Sequence, residues 1–368
     1  MYVLTKIVPS IMKIHRILKS ASKVLLFALG SALAAASCSE NESNPAYVVT
    51  EGFAQGSTYR IIYHIPDSLL QDSVAFNNAA EDSIAVWFKR IDNAVSGYNR
   101  NSEISMYNSG LTSNVGGIFA DIFEESLKYY EISGGLFDPS AAPLFDIWGF
   151  GFKNGIEPSK QAIDSIKALV GMNKLSLNRT SKGAVISTCD SLASNVIQLN
   201  FNAIAQGYTS DYFGRGLERM GVEDYLVEIG GEMLCKGVNS RGELWKVGID
   251  KPVDGNNISG QMIQAVIAVS GKGIVTSGNY RKFYIKDGQK YSHTINPLTG
   301  YPVTHSLLSA TVIAPSSTEA DAYATMFMVM GLEDSQKFLE AHPELDALLV
   351  YQDDDKLKQF ATPGIVFE

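Results

Sequence analysis

Asp321 and Thr325 stand four residues apart in Glu319-Ala-Asp-Ala-Tyr-Ala-Thr325. The run reads as helix, so a carboxylate and a hydroxyl stack on one face. Oxygen donors of this kind suit a hard cation such as Mg²⁺, which keeps waters that substrate phosphates can replace. A plain helix N-terminus, with Asp321 favoured by the dipole, fits the same pair. A second candidate is Tyr291-Ser-His-Thr-Ile-Asn-Pro-Leu-Thr-Gly-Tyr-Pro-Val303, which places His293, one of only five histidines, beside a turn built from Asn296, Pro297 and Gly300. Pro fixes its own φ and Gly permits positive φ, so the imidazole is offered from a stiff backbone. Taken alone, a hairpin turn with a surface histidine explains this stretch as simply. The third candidate is Gly135-Leu-Phe-Asp-Pro-Ser-Ala-Ala-Pro-Leu-Phe-Asp-Ile-Trp-Gly-Phe150, where Asp138 sits among large apolar groups. Its place before Pro139 predicts extended backbone with the carboxylate aimed outward, and the prolines predict no regular helix before Leu144. Such a segment makes either a connector or the wall of a pocket for an aromatic ligand.

The elements that must position these groups are legible in outline. Tyr47–Pro66 reads as a strand pair turning at Ala54–Tyr59. Ile84, Trp87, Phe88, Ile91 and Val95 repeat at three and four, one apolar face of a long helix. Ser96–Ser105 breaks that period, and Ile118–Ile132 is a second helix stopped by Gly134-Gly135. Ser159–Val170 is a short helix, with a hairpin of Lys174–Leu177 and Ala184–Ser187 after it. A helix follows Leu199–Tyr208 and runs to Met220, and Gly207 near its start predicts close backbone approach. Tyr225–Ile229 and Met233–Val238 pair across Gly230-Gly231. Trp245–Ile249, Met262–Val269 and Phe283–Ile285 are expected to continue that sheet. Gly271–Tyr280 reads as a glycine- and hydroxyl-rich loop able to cradle phosphate. Ala347–Tyr351 and Lys358–Ala361 close the chain as a hairpin. No P-loop and no G-x-G-x-x-G occurs, which argues against a dinucleotide-binding Rossmann unit.

The chain has 368 residues, 45% hydrophobic and 19% charged, with net charge −9. Residues 1–37 hold five of the 30 basic residues and no acidic one, so the remainder sets 25 basic against 39 acidic side chains. An acidic body without a basic stripe excludes nucleic acid as the expected partner. Met12–Ser37 reads as a signal peptide, with Lys13, His15, Arg16, Lys19 and Lys23 before the apolar run Val24–Ala36. The run stops at Ala35-Ala36-Ser37-Cys38, which resembles a lipobox, and an ordinary Ala-x-Ala cleavage site is the alternative. The expected organisation is therefore a signal peptide over 1–37, a lipid-anchored tether over 38–46 with Cys38 lipidated, and one catalytic domain over 47–368. Cys189 and Cys235 lack metal-ligand spacing, and we expect unpaired, buried thiols.

Laid side by side, these segments resemble the ApbE family of FAD:protein FMN transferases. The residues that carry the resemblance are Gly56-Ser-Thr-Tyr59, Ser96-x-Tyr98, Ser102-Glu-Ile-Ser105, Gly135-Leu-Phe-Asp-Pro139 with Pro143 and Trp148-Gly-Phe150, and Asn202-Ala-Ile-Ala-Gln-Gly-Tyr208 with Asp211. Gly230-Gly-Glu232, Thr276-Ser-Gly-Asn-Tyr280, Tyr291-Ser-His-x-Ile-Asn-Pro-x-Thr-Gly300 and Ala320-Asp-Ala-x-Ala-Thr325 follow in order. The resemblance implies an α+β fold with antiparallel sheets and packed helices. It implies Mg²⁺-dependent transfer of FMN from FAD, as a phosphoester, onto a threonine of an electron-transfer complex subunit, with AMP leaving. Cation ligands would be the Ala203 carbonyl, Asp321 and Thr325. FAD would contact Gln55, Tyr98, Leu136, Phe137, Asp138, Asn200, Gln206 and Ile295, with His293 near the reacting phosphate. Three positions depart from the family: Gln55 replaces its Met, Asn200 its Asp and Gln206 its Lys. Alternatives from other classes are a periplasmic FAD hydrolase and a non-catalytic flavin-binding lipoprotein. The expected location is the periplasmic face of a bacterial membrane.

Overall fold

The computed structural model describes residues 46–149, 158–188, 197–253, 256, 260–279, 283–286, 289–292, 294–354 and 356–368. Cys38, Cys189 and His293 lie outside the described residues, as do the expected signal peptide and nearly all of the tether.

Eight strands form the main sheet, and they neighbour one another in chain order. They are β1 (Tyr47–Ala54), β2 (Ser57–His64), β3 (Tyr225–Ile229), β4 (Glu232–Lys236), β5 (Lys272–Gly278), β6 (Leu307–Ala314), β7 (Asp346–Asp353) and β8 (Lys356–Ala361). Every pairing is antiparallel. Five longer helices are inserted between the strands: α1 (Ser73–Val95), α2 (Gly117–Ile132), α3 (Ala205–Arg219), α4 (Ser317–Met330) and α5 (Leu332–Ala341). The expected α+β class holds.

Alternation along the strands sorts the core into two sides. Ile61, Tyr63, Val227 and Ile229 face α1 and α3, where Trp87 and Phe88 of α1 bracket Phe213 of α3 at ring distances of 5.3 and 4.6 Å. Gly216 is required there, because a Cβ would stand 2.3 Å from the Trp87 ring. Further along the same side, Val275, Val312 and Leu349 meet Phe119 and Phe123 of α2 and Phe327 of α4. Truncating one of these buried aromatics would cost about 3–5 kcal/mol. On the other side, Cys235, Ile274, Ile313 and Leu348 pack under the ribbon Trp245–Asp250 and Ile263–Val269. Cys235 is free and buried, as expected.

Several expectations need correction. The ribbon does not continue the main sheet, and among the described residues Phe283–Lys286 pairs only with Gln289–Ser292. Gly271–Tyr280 is mostly strand β5 rather than a phosphate-cradling loop. Its Ile274 and Val275 are fully buried on opposite faces, and Gly273 lets α4 approach, since a Cβ would stand 2.3 Å from the Ser317 nitrogen. A short helix, Ala142–Ile147, starts before Leu144, because Pro143 lies in its first turn, where its missing N–H costs nothing. Ser96–Ser105 is not wholly irregular: Glu103–Asn108 is helical, capped by Ser102. The strand β6 and the helix α5 had no counterpart in the sequence reading.

Candidate active site

The insertions converge on a cavity of about 440 Å³ over the edge of β5. Tyr98, Leu136, Phe137, Asp138, Asn200, Gln206 and Ile295 line it, together with Ala203, Asp321 and Thr325. The structure thus gathers ten predicted residues from five separate stretches of chain. Leu136, Phe137, Pro139, Ala142, Phe145 and Ile295 supply apolar lining. The rest is rich in oxygen and amide groups from Asn202, Gln206, Glu232, Thr276, Ser277, Asp321 and Thr325.

Local geometry explains how each group is held. The Gly135–Pro139 stretch is extended at Asp138, with φ −141°, as the following proline dictates. Its carboxylate does not simply point outward. Oδ1 accepts hydrogen bonds from the Ser140 N–H at 2.8 Å and the Ser140 hydroxyl at 2.6 Å. Burial pushes the Asp138 carboxyl up to about 6, against the pull of those two bonds. Phe137 is 1% exposed and meets Tyr129 edge-on, so its ring is also core. Tyr98, by contrast, is 81% exposed at the rim. The turn after Ile295 is as stiff as the sequence suggests. Asn296 Oδ1 accepts from the Leu298 and Thr299 N–H groups at 2.9 and 3.2 Å, and the Trp148 indole donates to the Gly300 carbonyl at 2.8 Å.

Asn200 Oδ1 accepts from the Asn202 N–H at 2.8 Å, an interaction that its carbonyl oxygen supplies as well as a carboxylate would. Gln206 lies against Gly230, where a Cβ would stand 2.3 Å from Nε2. Gln55 does not line the cavity. It occupies the turn between β1 and β2 with φ +52°, and its amide donates to the Thr209 hydroxyl of α3 at 2.8 Å.

Asp321 is buried on α4, and its Oδ2 accepts from the Gly207 N–H of α3 at 3.1 Å. Burial raises its pKa, that N–H lowers it, and nearby Asp211 raises it further. Among the described residues no cluster of three His, Cys, Asp or Glu side chains forms a metal site. Asp321, Thr325 and Ala203 line the same cavity, and a carboxylate, a hydroxyl and a backbone carbonyl are a donor set whose chemistry fits Mg²⁺. The described lining holds three carboxylates, Asp138, Glu232 and Asp321, and no Lys, Arg or His. Glu232 lines the cavity without being among the expected site residues. Its signal was Gly230-Gly231, which read as a turn and also delivers the carboxylate that follows.

The fold is that of flavin transferases. Flavin Transferase ApbE from Vibrio cholerae superposes with a TM-score of 0.73 at 28% identity, over 86% of this chain and 97% of that one. The apo flavinyl transferase ApbE of Pseudomonas stutzeri gives 0.73 and 28%, over 86% and 95%. The FAD:protein FMN transferase of Escherichia coli K12 is 33% identical over 278 residues, 74% of this chain and 76% of its own length. That of Haemophilus influenzae is 29% identical over 321 residues, 86% and 89%. The ApbE family profile matches residues 55–349, and the chain belongs to that family. It is an enzyme that transfers FMN from FAD to a protein.

Proposed function

We propose that this transfer depends on Mg²⁺ held by Asp321, Thr325 and the Ala203 carbonyl, that the acceptor is a threonine hydroxyl, and that AMP is the leaving group. The observation that carries the reading is the charge of the cavity. A pyrophosphate has to enter a space lined by the carboxyl groups of Asp138, Glu232 and Asp321. When bound, Mg²⁺ would neutralise the pyrophosphate and stabilise the departing phosphate.

The chain's own residues do the rest. Leu136, Phe137 and Tyr98 hold the isoalloxazine by apolar and stacking contacts. Asp138, Asn200, Gln206 and Ile295 complete the FAD contacts. Gln55 supports them through its bond to Thr209 on α3. The acceptor oxygen bonds to the FMN phosphorus, the P–O bond to the AMP phosphate breaks, and that electron pair leaves with AMP. The hydroxyl proton passes to the His293 imidazole.

The proposed location is the periplasmic face of a bacterial membrane, with a lipid on Cys38. The apolar run ending at Cys38 and the polar stretch Ser39–Pro45 support it. Labelling with a radioactive fatty acid should mark the intact chain and not Cys38→Ser. The reaction is tested by AMP release from FAD with Mg²⁺, with and without a threonine-containing acceptor domain. AMP only with the acceptor, and flavin fluorescence bound covalently to it, is the expected result. An equal rate without acceptor would make the enzyme a hydrolase, and full activity in excess EDTA would remove the cation.

A further inference from the structure

The first N–H groups of a helix have no partner within it. In α3, Ala205 and Tyr208 donate to the Phe201 and Ile204 carbonyls at 2.8 and 2.9 Å, and Gly207 donates to Asp321 of α4 at 3.1 Å. In α4, Ser317 and Thr318 donate to the two carboxylate oxygens of Asp211, each at 2.8 Å, and Asp211 belongs to α3. The Thr318 hydroxyl also donates to Asp211. Each helix therefore supplies the carboxylate that satisfies the other's N-terminus. The two backbones nearly touch at this crossing. A Cβ on Gly207 would stand 2.5 Å from the Ser317 carbonyl oxygen and 2.8 Å from the Asp321 Cβ.

The donors assigned to the cation ride on these two helices. Ala203 lies two residues before α3, and Asp321 and Thr325 lie on α4. Asp211 is 4% exposed and does not line the cavity, so it is no ligand itself. We infer that Asp211 is a positioning residue: by capping α4 it holds Asp321 and Thr325 in register with the Ala203 carbonyl, and the exchanged caps set the geometry of the cation site. The inference rests on the Mg²⁺ reading above.

The test uses the full chain, Asp211→Asn and a control, Ser316→Ala. The control removes the α4 cap on Glu319 (Ser316 Oγ, 3.1 Å) and leaves Asp211 in place. Asparagine offers one acceptor oxygen and turns an amide nitrogen toward the second N–H. Asp211→Asn should weaken Mg²⁺ binding in titration calorimetry at least about tenfold. The KM for Mg²⁺ should rise with it, while kcat at saturating Mg²⁺ stays within about threefold. Hydrogen exchange at the Gly207 amide should quicken about tenfold, because its partner Asp321 is no longer held. Ser316→Ala should leave Mg²⁺ affinity and Gly207 exchange within about twofold. Unchanged affinity and unchanged Gly207 protection in Asp211→Asn would overturn the inference, and so would an equal loss in Ser316→Ala. If Asp211→Asn does not fold, Thr318→Val removes only the hydroxyl bond and should show the same two changes at about threefold; their absence counts against it. Failure of the unmodified chain to bind Mg²⁺ would sink the cation reading alone, and Gly207 exchange would still decide whether the exchanged caps hold Asp321.

Discussion

Two clusters of acidic residues in this enzyme look alike on paper and behave differently. At the surface, Arg179 Nη2 lies 2.7 Å from Asp121 and 2.6 Å from Glu124, and Nε bonds Glu124 again at 2.9 Å. The side chains are 43–49% exposed, and the guanidinium holds the Glu124 carboxyl below its usual range. At the crossing of α3 and α4, Asp211 and Asp321 have only neutral donors, at comparable distances. Yet they are buried, and burial raises both pKa values. The charge of the donor ranks the surface cluster first, and solvent reverses the order. Water and salt screen the exposed pair, whereas a buried carboxylate depends on each donor it has.

The largest effect should come from Asp321→Ala. Losing the carboxylate should cut Mg²⁺-dependent AMP release about a thousandfold or more, and near-normal turnover at 10 times the usual Mg²⁺ would show that the charge sits elsewhere. Next is Gly207→Ala, which forces a methyl group into the helix crossing. It should cost about 1–3 kcal/mol in urea melts and also weaken Mg²⁺ binding; a silent substitution would mean the two helices part freely.

Asp138→Asn sharpens the contrast within the cavity. The Asp138 carboxyl is raised from 3.8 to about 6 in the folded protein, so burial of its charge costs nothing at pH 3. The cost grows as pH rises from about 4 to 6 and stays above that. Asparagine keeps the acceptor for Ser140 and loses the charge. It should stabilise the enzyme at pH 8 by up to about 3 kcal/mol and leave it unchanged at pH 3. Equal stability changes at both values would rule out the charge as the cause. The smallest effect belongs to Arg179→Ala, expected at about 1 kcal/mol or less and shrinking further in 1 M salt. A larger, salt-independent loss would erase the contrast between the surface and buried clusters.

The comparison also marks what sequence can and cannot reveal. Gly207 was legible as a site of close approach because only a glycine tolerates a backbone at that distance. Asp321 and Thr325 were legible because helical spacing is local. β3 and β4 were legible through the Gly230-Gly231 turn between them. β5 was misread, since a buried central strand leaves no alternation, and its glycines and hydroxyls looked like a loop. Asp211 stood in the resemblance with no role attached. Its partners, Ser317 and Thr318, are more than 100 residues away, and no local pattern links them. Gln55 went the other way: family position suggested a flavin contact, and the structure holds it on Thr209, outside the cavity lining.

The main sheet runs in chain order, but β2 and β3 are separated by residues 65–224. Antiparallel partners so far apart meet late, since closing a loop of that length must precede the contacts that reward it. The strand after which α4 emerges, β6, comes later still. A nascent chain therefore holds β1, β2 and most of the apolar lining of the cavity long before Asp321 and Thr325 exist to finish it. Folding should be slow and limited by this long-range pairing, and flavin chemistry should appear only with the last quarter of the chain in place.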